Sequence, residues 1–332
     1  MSLKSLTKLA FALAFVVVTL GALTRLLDAG LGCPDWPGCY GQLMPPAAHE
    51  EHLFDGLDTG KAWMEMIHRY AAGLLGLLIL LVMLRLEKNR EVSQPTRWLG
   101  RGLLTLVIAQ ALFGMWTVTM KLQPQVVTTH LLGGMLLLAL LWRLQKQFSS
   151  ADSVNVTAPL KNSVAAVIVL TFLQISLGGW TSSQYAGLAC TDFPTCQGQW
   201  LPQAPLSEAF NLSHFIDQSH EGGLLSAQAR QTIQLVHRYF ALLLTLSIIT
   251  LSIVLWRFAL LRKQLLLLLS LTALQITLGI ANALLMLPLT LALAHNTGAA
   301  LLTLCLVDLH QRLMPAANRT IRSQTSVTQT TG

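Results

Sequence analysis

The chain has 332 residues, of which 53% are apolar and 11% charged, and its mean hydropathy is +0.56. That balance excludes an ordinary soluble domain and implies an integral membrane protein. The net charge of +7 does not point to a nucleic-acid partner, because cytoplasmic loops of membrane proteins accumulate Lys and Arg and the basic residues here are distributed in that way.

Apolar runs of about 20 residues, the length a helix needs to cross the hydrocarbon core, lie at roughly Leu6–Leu27, Trp63–Leu86, Leu103–Met120, Val126–Leu144, Ser163–Thr181, Gln234–Phe258, Leu265–Met286 and Leu289–Leu309. Eight crossings put both termini on one side. Lys4 and Lys8, the loops after the second, fourth and sixth runs, and the C-terminal tail hold most of the basic residues. These segments are expected in the cytoplasm of a bacterial cell, with the protein in its inner membrane. Asp28–Lys61 and Ser182–Ile233 carry most acids and both cysteine pairs, and so are expected in the oxidising periplasm. The first run is of full span length without a small-residue cleavage site, and should stay as an anchor.

In chain order, the first run leads into "GLGCPDWPGC" from Gly30, and the second opens on "EMIHRY", with Glu65 and His68. Gln110 lies inside the third run and His130 opens the fourth. The pattern then recurs: "GLACTDFPTC" from Gly187, "QLVHRY" with His237, Gln275 in the seventh run and His295 opening the eighth. The offsets are 157, 169, 165 and 165 residues, so the chain is a parallel internal repeat. The expected fold is all-α: eight transmembrane helices as two tandem four-helix bundles related by a pseudo-twofold axis near the membrane normal. Residues 1–148 form the first half, 149–160 a cytoplasmic linker, 161–314 the second half and 315–332 a disordered cytoplasmic tail. The long cysteine loops have room to fold over the mouth of their own bundles.

Counted from the periplasmic ends of the runs, His68, His130, His237 and His295 fall about 5–9 Å deep at ~1.5 Å per residue, in one layer. Within each half the two histidines can approach each other across the bundle axis. Intramembrane ionisable residues are rare and default to function. With no cysteine or carboxylate cluster to complete a tetrahedral zinc site, a metal held by two imidazoles is best read as haem iron, which brings four nitrogens of its own. Gly133, Gly134 and Gly298 could leave room for a flat macrocycle, or simply allow close helix packing. Arg69 and Arg238 could pair with haem propionates, or serve as snorkelling anchors.

The halves differ where Glu65 aligns with Gln234. Glu65 shares a helix face with His68 at i,i+3, and a carboxylate beside lipid can transfer protons, whereas Gln cannot. Chemistry is therefore expected in the first half, and a supporting role in the second. Cys33 and Cys39, and Cys190 and Cys196, have identical spacing and should form two disulfides. These either staple the loops or take part in redox chemistry. Trp36 and Phe193 are matched apolar anchors at the interface, and Cys305 is a packing residue.

These motifs resemble the haem A synthase family of cytochrome oxidase biogenesis, from the first run to the last. The resemblance implies that haem O is the substrate and that its C8 methyl is oxidised to a formyl group. It implies two successive hydroxylations to a geminal diol that loses water. It also implies that His237 and His295 hold a haem b cofactor, that His68 and His130 receive the substrate haem, that Glu65 is needed for activity, and that Cys33 and Cys39 form a disulfide linked to haem handling. A haem O synthase and an electron donor are the implied partners, and a homo-oligomer remains open. Three rivals stand beside it. A dihaem cytochrome drawing on quinol leaves Glu65 unexplained, a membrane thiol oxidant leaves four histidines idle, and a transporter lacks the expected broken helices.

Overall fold

The computed structural model describes residues 2–54, 56–148, 153–212 and 218–314. The first residues of the expected linker, 149–152, and the expected tail, 315–332, lie outside these. The described residues form α1 (Leu3–Leu26), α2 (Thr59–Lys88), α3 (Gln94–Thr119), α4 (Pro124–Lys146), α5 (Ala158–Ser183), the short α6 (Leu206–Ala209), α7 (Ala227–Leu255), α8 (Arg262–Leu284) and α9 (Leu289–Arg312). All but α6 are long and apolar enough to span a membrane. The chain is a multi-pass membrane protein.

Several helices begin earlier than their apolar runs. Asp58 accepts from Lys61 N–H at the start of α2, and Ser226 from Ala229 N–H at the start of α7. These caps add polar turns that hydropathy does not see. The prolines of α3, α4 and α5 fall in their first turns, where a missing N–H costs nothing. α5 thus begins inside the expected linker.

α1 packs on α2 and α4, with α3 between those two; α5 packs on α7 and α9, with α8 between them. α4 meets α5 and α9, and α9 also meets α1. Two apolar cores lie toward the side opposite the cysteine loops. One includes Leu6, Ala10, Ile79, Leu86, Leu138 and Leu141, the other Val164, Ile248, Leu255, Leu265 and Leu306. The two sets of four helices also touch through residues that occupy matching places in the repeat. Near the cysteine loops, Arg25 Nη2 donates to Ser182 O at 2.6 Å, and Tyr185 Oη donates to Asp28 Oδ1 at 2.6 Å. At the far end Lys146 pairs with Asp308 at 3.0 Å, while Gln311 Nε2 donates to Arg143 O at 2.9 Å. Reciprocal contacts of this kind are what an isologous junction produces.

The backbone repeats its unusual conformations too. Asp28 and Tyr185 both have φ 54°, Tyr40 and Gln197 have φ 53° and 51°, and the tight turns Lys121–Leu122 and Met286–Leu287 all have positive φ. Gly32 is a difference. A Cβ there would stand 2.5 Å from the Lys61 carbonyl carbon, which is backbone and cannot yield, whereas Ala189 holds the matching place in the second half. The first cysteine loop therefore lies closer to its helix. Gly32→Ala should destabilise the protein by about 1–3 kcal/mol, the usual cost of overpacking. Gly73→Ala, in open space on α2, should not. Thermal unfolding of the purified protein in detergent compares the two.

Candidate functional site

Each histidine lies on one helix with its ring against a glycine of a neighbour. A Cβ on Gly21 of α1 would come within 2.9 Å of the His68 ring, and one on Gly114 of α3 within 3.4 Å of His130. In the second set, Gly178 of α5 and Gly279 of α8 stand the same way to His237 and His295, at 3.3 and 3.2 Å. His68 and His130 lie within electrostatic reach of each other, as do His237 and His295. The structure thus brings the four predicted histidines together as two pairs.

The donor set fits a planar group that supplies most of its own ligands. Among the described residues no cluster of three or more His, Cys, Asp or Glu is placed to hold a metal ion, so each pair offers only its two imidazoles. Nδ1 of His68, His130 and His295 is buried and makes no close hydrogen bond among the described residues, with the backbone of Val17, Gln110 and Gln275 beside the three rings. His237 differs: Gln174 Nε2 lies 3.1 Å from its Nδ1, and the place of Gln174 in the first half is taken by Val17.

The glycines facing the imidazoles are not those singled out from the sequence. Gly133 and Gly298 instead seat the amides of Gln110 and Gln275, which a Cβ would meet at 1.9 and 2.5 Å. Gln275 Nε2 donates to His295 O at 3.0 Å, so this amide braces the histidine helix. Gly21 with Gly178, and Gly114 with Gly279, share the repeat offsets of the cysteine loops and of His130 with His295. That shared spacing was the signal that could have found them.

Glu65 is 4% exposed. Its Oε2 accepts from Cys33 N–H at 2.9 Å and its Oε1 pairs with Arg69 Nη2. The carboxylate is tied to the cysteine loop, one helical turn from His68. Arg69 Nη1 in turn donates to the carbonyls of Asp35 and Gly38 at 3.0 and 2.6 Å. Arg238 does the same to Asp192 and Thr195, at 2.9 and 2.5 Å. Lacking a carboxylate beside it, Arg238 turns Nη2 to Cys190 O at 3.1 Å, while Gln234 Nε2 donates to Gly187 O at 2.8 Å. Both arginines are loop clamps, not free anchors.

The loops are closed by the disulfides Cys33–Cys39 and Cys190–Cys196. All four cysteines are buried. Aspartates organise the loop backbones: Asp35 accepts from Tyr40 and Gly41 N–H, and Asp192 from Gln197 and Gly198 N–H and the Thr195 hydroxyl. Those donors, the Gly198 amide first and the Thr195 hydroxyl next, hold the Asp192 carboxyl down to about 2. The second long loop does not stay over its own bundle. His220 N–H donates to Lys121 O at 3.1 Å and Gln125 Nε2 to Leu212 O at 2.7 Å, reaching the α3–α4 turn of the first half.

A family described as "Cytochrome oxidase assembly protein" matches residues 4–307. The chain belongs to this family. Among curated relatives, a protein named heme A synthase from Shewanella oneidensis is 42% identical over 97% of this chain and 100% of its own length. Others of that name come from Nitrosospira multiformis, 28% identical over 88% of this chain and 87% of its own, and Shouchella clausii, 28% identical over 72% and 71%.

Arg69→Leu strands a buried carboxylate, and a broken buried pair costs about 3–5 kcal/mol. Arg238→Leu strands only carbonyls, at about 1–3 kcal/mol. Unfolding midpoints should fall further for the first substitution, and Glu65→Gln should restore part of that loss in the Arg69→Leu background. A second expectation concerns pH. A carboxylate whose pKa is lower when folded stabilises above the unfolded value near 4, and this stabilisation disappears as pH falls through about 2. Asp192→Asn should flatten the pH dependence of stability between roughly 4 and 2, as read from unfolding midpoints.

Proposed function

We propose that this protein is a haem A synthase, an oxidoreductase that converts the C8 methyl of haem O to the formyl of haem A. The observation that carries the reading is the pair of glycine-backed histidine sites, of which only one has a buried carboxylate beside it. The family match and the relatives named heme A synthase support the same reading. We take residues 1–148 as the reaction half, 149–160 as the linker and 161–314 as the cofactor half, related by a pseudo-twofold axis. The cysteine loops face the periplasm and both termini the cytoplasm, with the protein in a bacterial inner membrane.

In the reaction half His68 and His130 hold haem O from facing helices, and Gly21 and Gly114 keep neighbouring side chains clear of their rings. Glu65, fixed by Arg69 and Cys33 N–H, is the acid–base group one turn away. It is placed to exchange protons while the methyl is hydroxylated twice, each hydroxylation inserting one oxygen atom and passing two electrons to an external oxidant, and while the geminal diol loses water. The disulfide holds Cys33 N–H against Oε2, so the staple also orients the carboxylate. In the cofactor half, haem b between His237 and His295 would supply one-electron transfer when bound. There Gln174 fixes the His237 ring, and Gln234, which cannot exchange protons, only braces the loop.

Expression in a host that makes haem O but no haem A, followed by haem extraction and chromatography, tests this. Wild type should yield haem A or its hydroxylated precursor. Glu65→Gln should retain haem b and yield neither. Haem b alone from well-folded wild type, in a host confirmed to supply haem O and electrons, would replace the proposal with a dihaem electron carrier.

A further inference from the structure

α2 and α7 each carry an exposed stripe that begins with the tyrosine of "HRY". On α2 it runs Tyr70, Leu74, Leu77 and Leu81, and on α7 it runs Tyr239, Leu242, Leu246, Ile249 and Ile253. The steps of three and four residues keep each stripe on one face. In a membrane-spanning helix such a bare apolar face meets acyl chains. Tyr70 Oη donates to Leu43 O, and Tyr239 Oη donates to Trp200 O. The tip of each cysteine loop is therefore pinned to the top of a lipid-facing stripe, at the rim of its bundle and not over its centre.

The tips themselves are bare and apolar. Leu43 is 81% and Met44 63% exposed, and at the matching places Trp200 is 58% and Leu201 75% exposed. Trp36 and Phe193, lower in the same loops, are also exposed. The side chains differ between the copies, yet their apolar character is kept at every one of these positions. Depth agrees with this placement. Tyr70 precedes Lys88, the last residue of α2, by 18 residues, and Tyr239 precedes Arg257, just beyond α7, by the same number. At ~1.5 Å per residue that is about 27 Å, close to the ~30 Å of a hydrocarbon core. The tyrosines thus mark the second boundary of the core, the depth at which Tyr and Trp concentrate, which moves His68 and His237, two residues earlier on each helix, to the interface rather than the depth expected from the apolar runs.

We propose that the two loop tips, Leu43 with Met44 and Trp200 with Leu201, are anchors seated in the interfacial zone of the phospholipid leaflet on the cysteine-loop side, held there by Tyr70 and Tyr239. Each disulfide cap is then fixed on one flank by its arginine clamp and on the other by the bilayer. This inference rests on the membrane-spanning fold and the loop geometry, and stands whether or not the chain is a haem A synthase.

The test places a nitroxide label at Met44→Cys or Leu201→Cys in the unreduced full chain carrying Cys305→Ala, reconstituted in phosphatidylcholine–phosphatidylglycerol vesicles. Relaxation by oxygen, which concentrates in lipid, is compared with relaxation by a water-soluble nickel chelate. Both tips should be open to oxygen and shielded from nickel, as at Leu77→Cys, and unlike Glu208→Cys in the exposed part of the second loop. Tyr70→Phe should raise nickel access at position 44, and Tyr239→Phe at position 201. Strong nickel relaxation at both tips in the otherwise native chain would overturn the proposal. So would shielding from both probes, which would mean that a protein surface or a second copy covers them. If the labelled variants fail to fold, the fluorescence lost on Trp200→Phe serves instead. It should be quenched by lipids brominated near the headgroup and spared by aqueous iodide, and the reverse pattern would sink the idea.

Discussion

A guanidinium one residue beyond a half-buried histidine gathers the carbonyls of a disulfide-closed loop, and the site depends on that contact. Arg69 and Arg238 each reach two backbone oxygens that bracket the cis Trp36–Pro37 or Phe193–Pro194 bond. Carbonyls at the edge of a membrane cannot count on water, so a fixed cation is an effective way to satisfy several at once. The same helical turn presents the histidine to the bundle, the arginine to the loop and the tyrosine to its tip. Three consecutive residues thus set the position of the cap relative to the pair of imidazoles.

Duplication makes the main chemical difference easy to see. Both copies keep the clamp, the disulfide, the glutamines seated on a glycine and the glycines behind the rings. Only the first has a carboxylate, and its surroundings have adjusted to it: Gly32 lets the loop come close enough for Cys33 N–H to reach Glu65, and Arg69 gives Nη2 to that carboxylate. In the second copy Ala189 holds the loop farther out, Arg238 bonds Cys190 O, and Gln174 fixes the ring of His237. A buried carboxylate needs a charged partner and amide donors, and the first half is built to provide both.

The halves are joined at both membrane surfaces by polar contacts between matching residues, with apolar packing of α1, α4, α5 and α9 between them. Arg25 lies 4.2 Å over the Tyr185 ring while it bonds Asp28 and Ser182 O. At the far surface Asp308 takes Lys146 from α4 and Arg312 from its own helix. The second loop adds a third tie through His220 and Lys121. Cap, bundle and junction therefore form one connected structure, with the second loop bonded to the α3–α4 turn.

Much of this was legible in the sequence. Eight crossings follow from hydropathy, because a bilayer admits only chains whose backbone is satisfied within the helix. The histidine pairs, Glu65 and both disulfides follow from spacing repeated in two copies. The tertiary structure decided what spacing does not encode. It showed that Gly21, Gly114, Gly178 and Gly279 back the imidazoles while Gly133 and Gly298 seat glutamines. It directed Arg69 and Arg238 to loop carbonyls, and it carried the second loop across to the first half. Periodicity along a helix fixes which residues share a face, but not which neighbour that face meets. That choice belongs to the packing of all eight helices together.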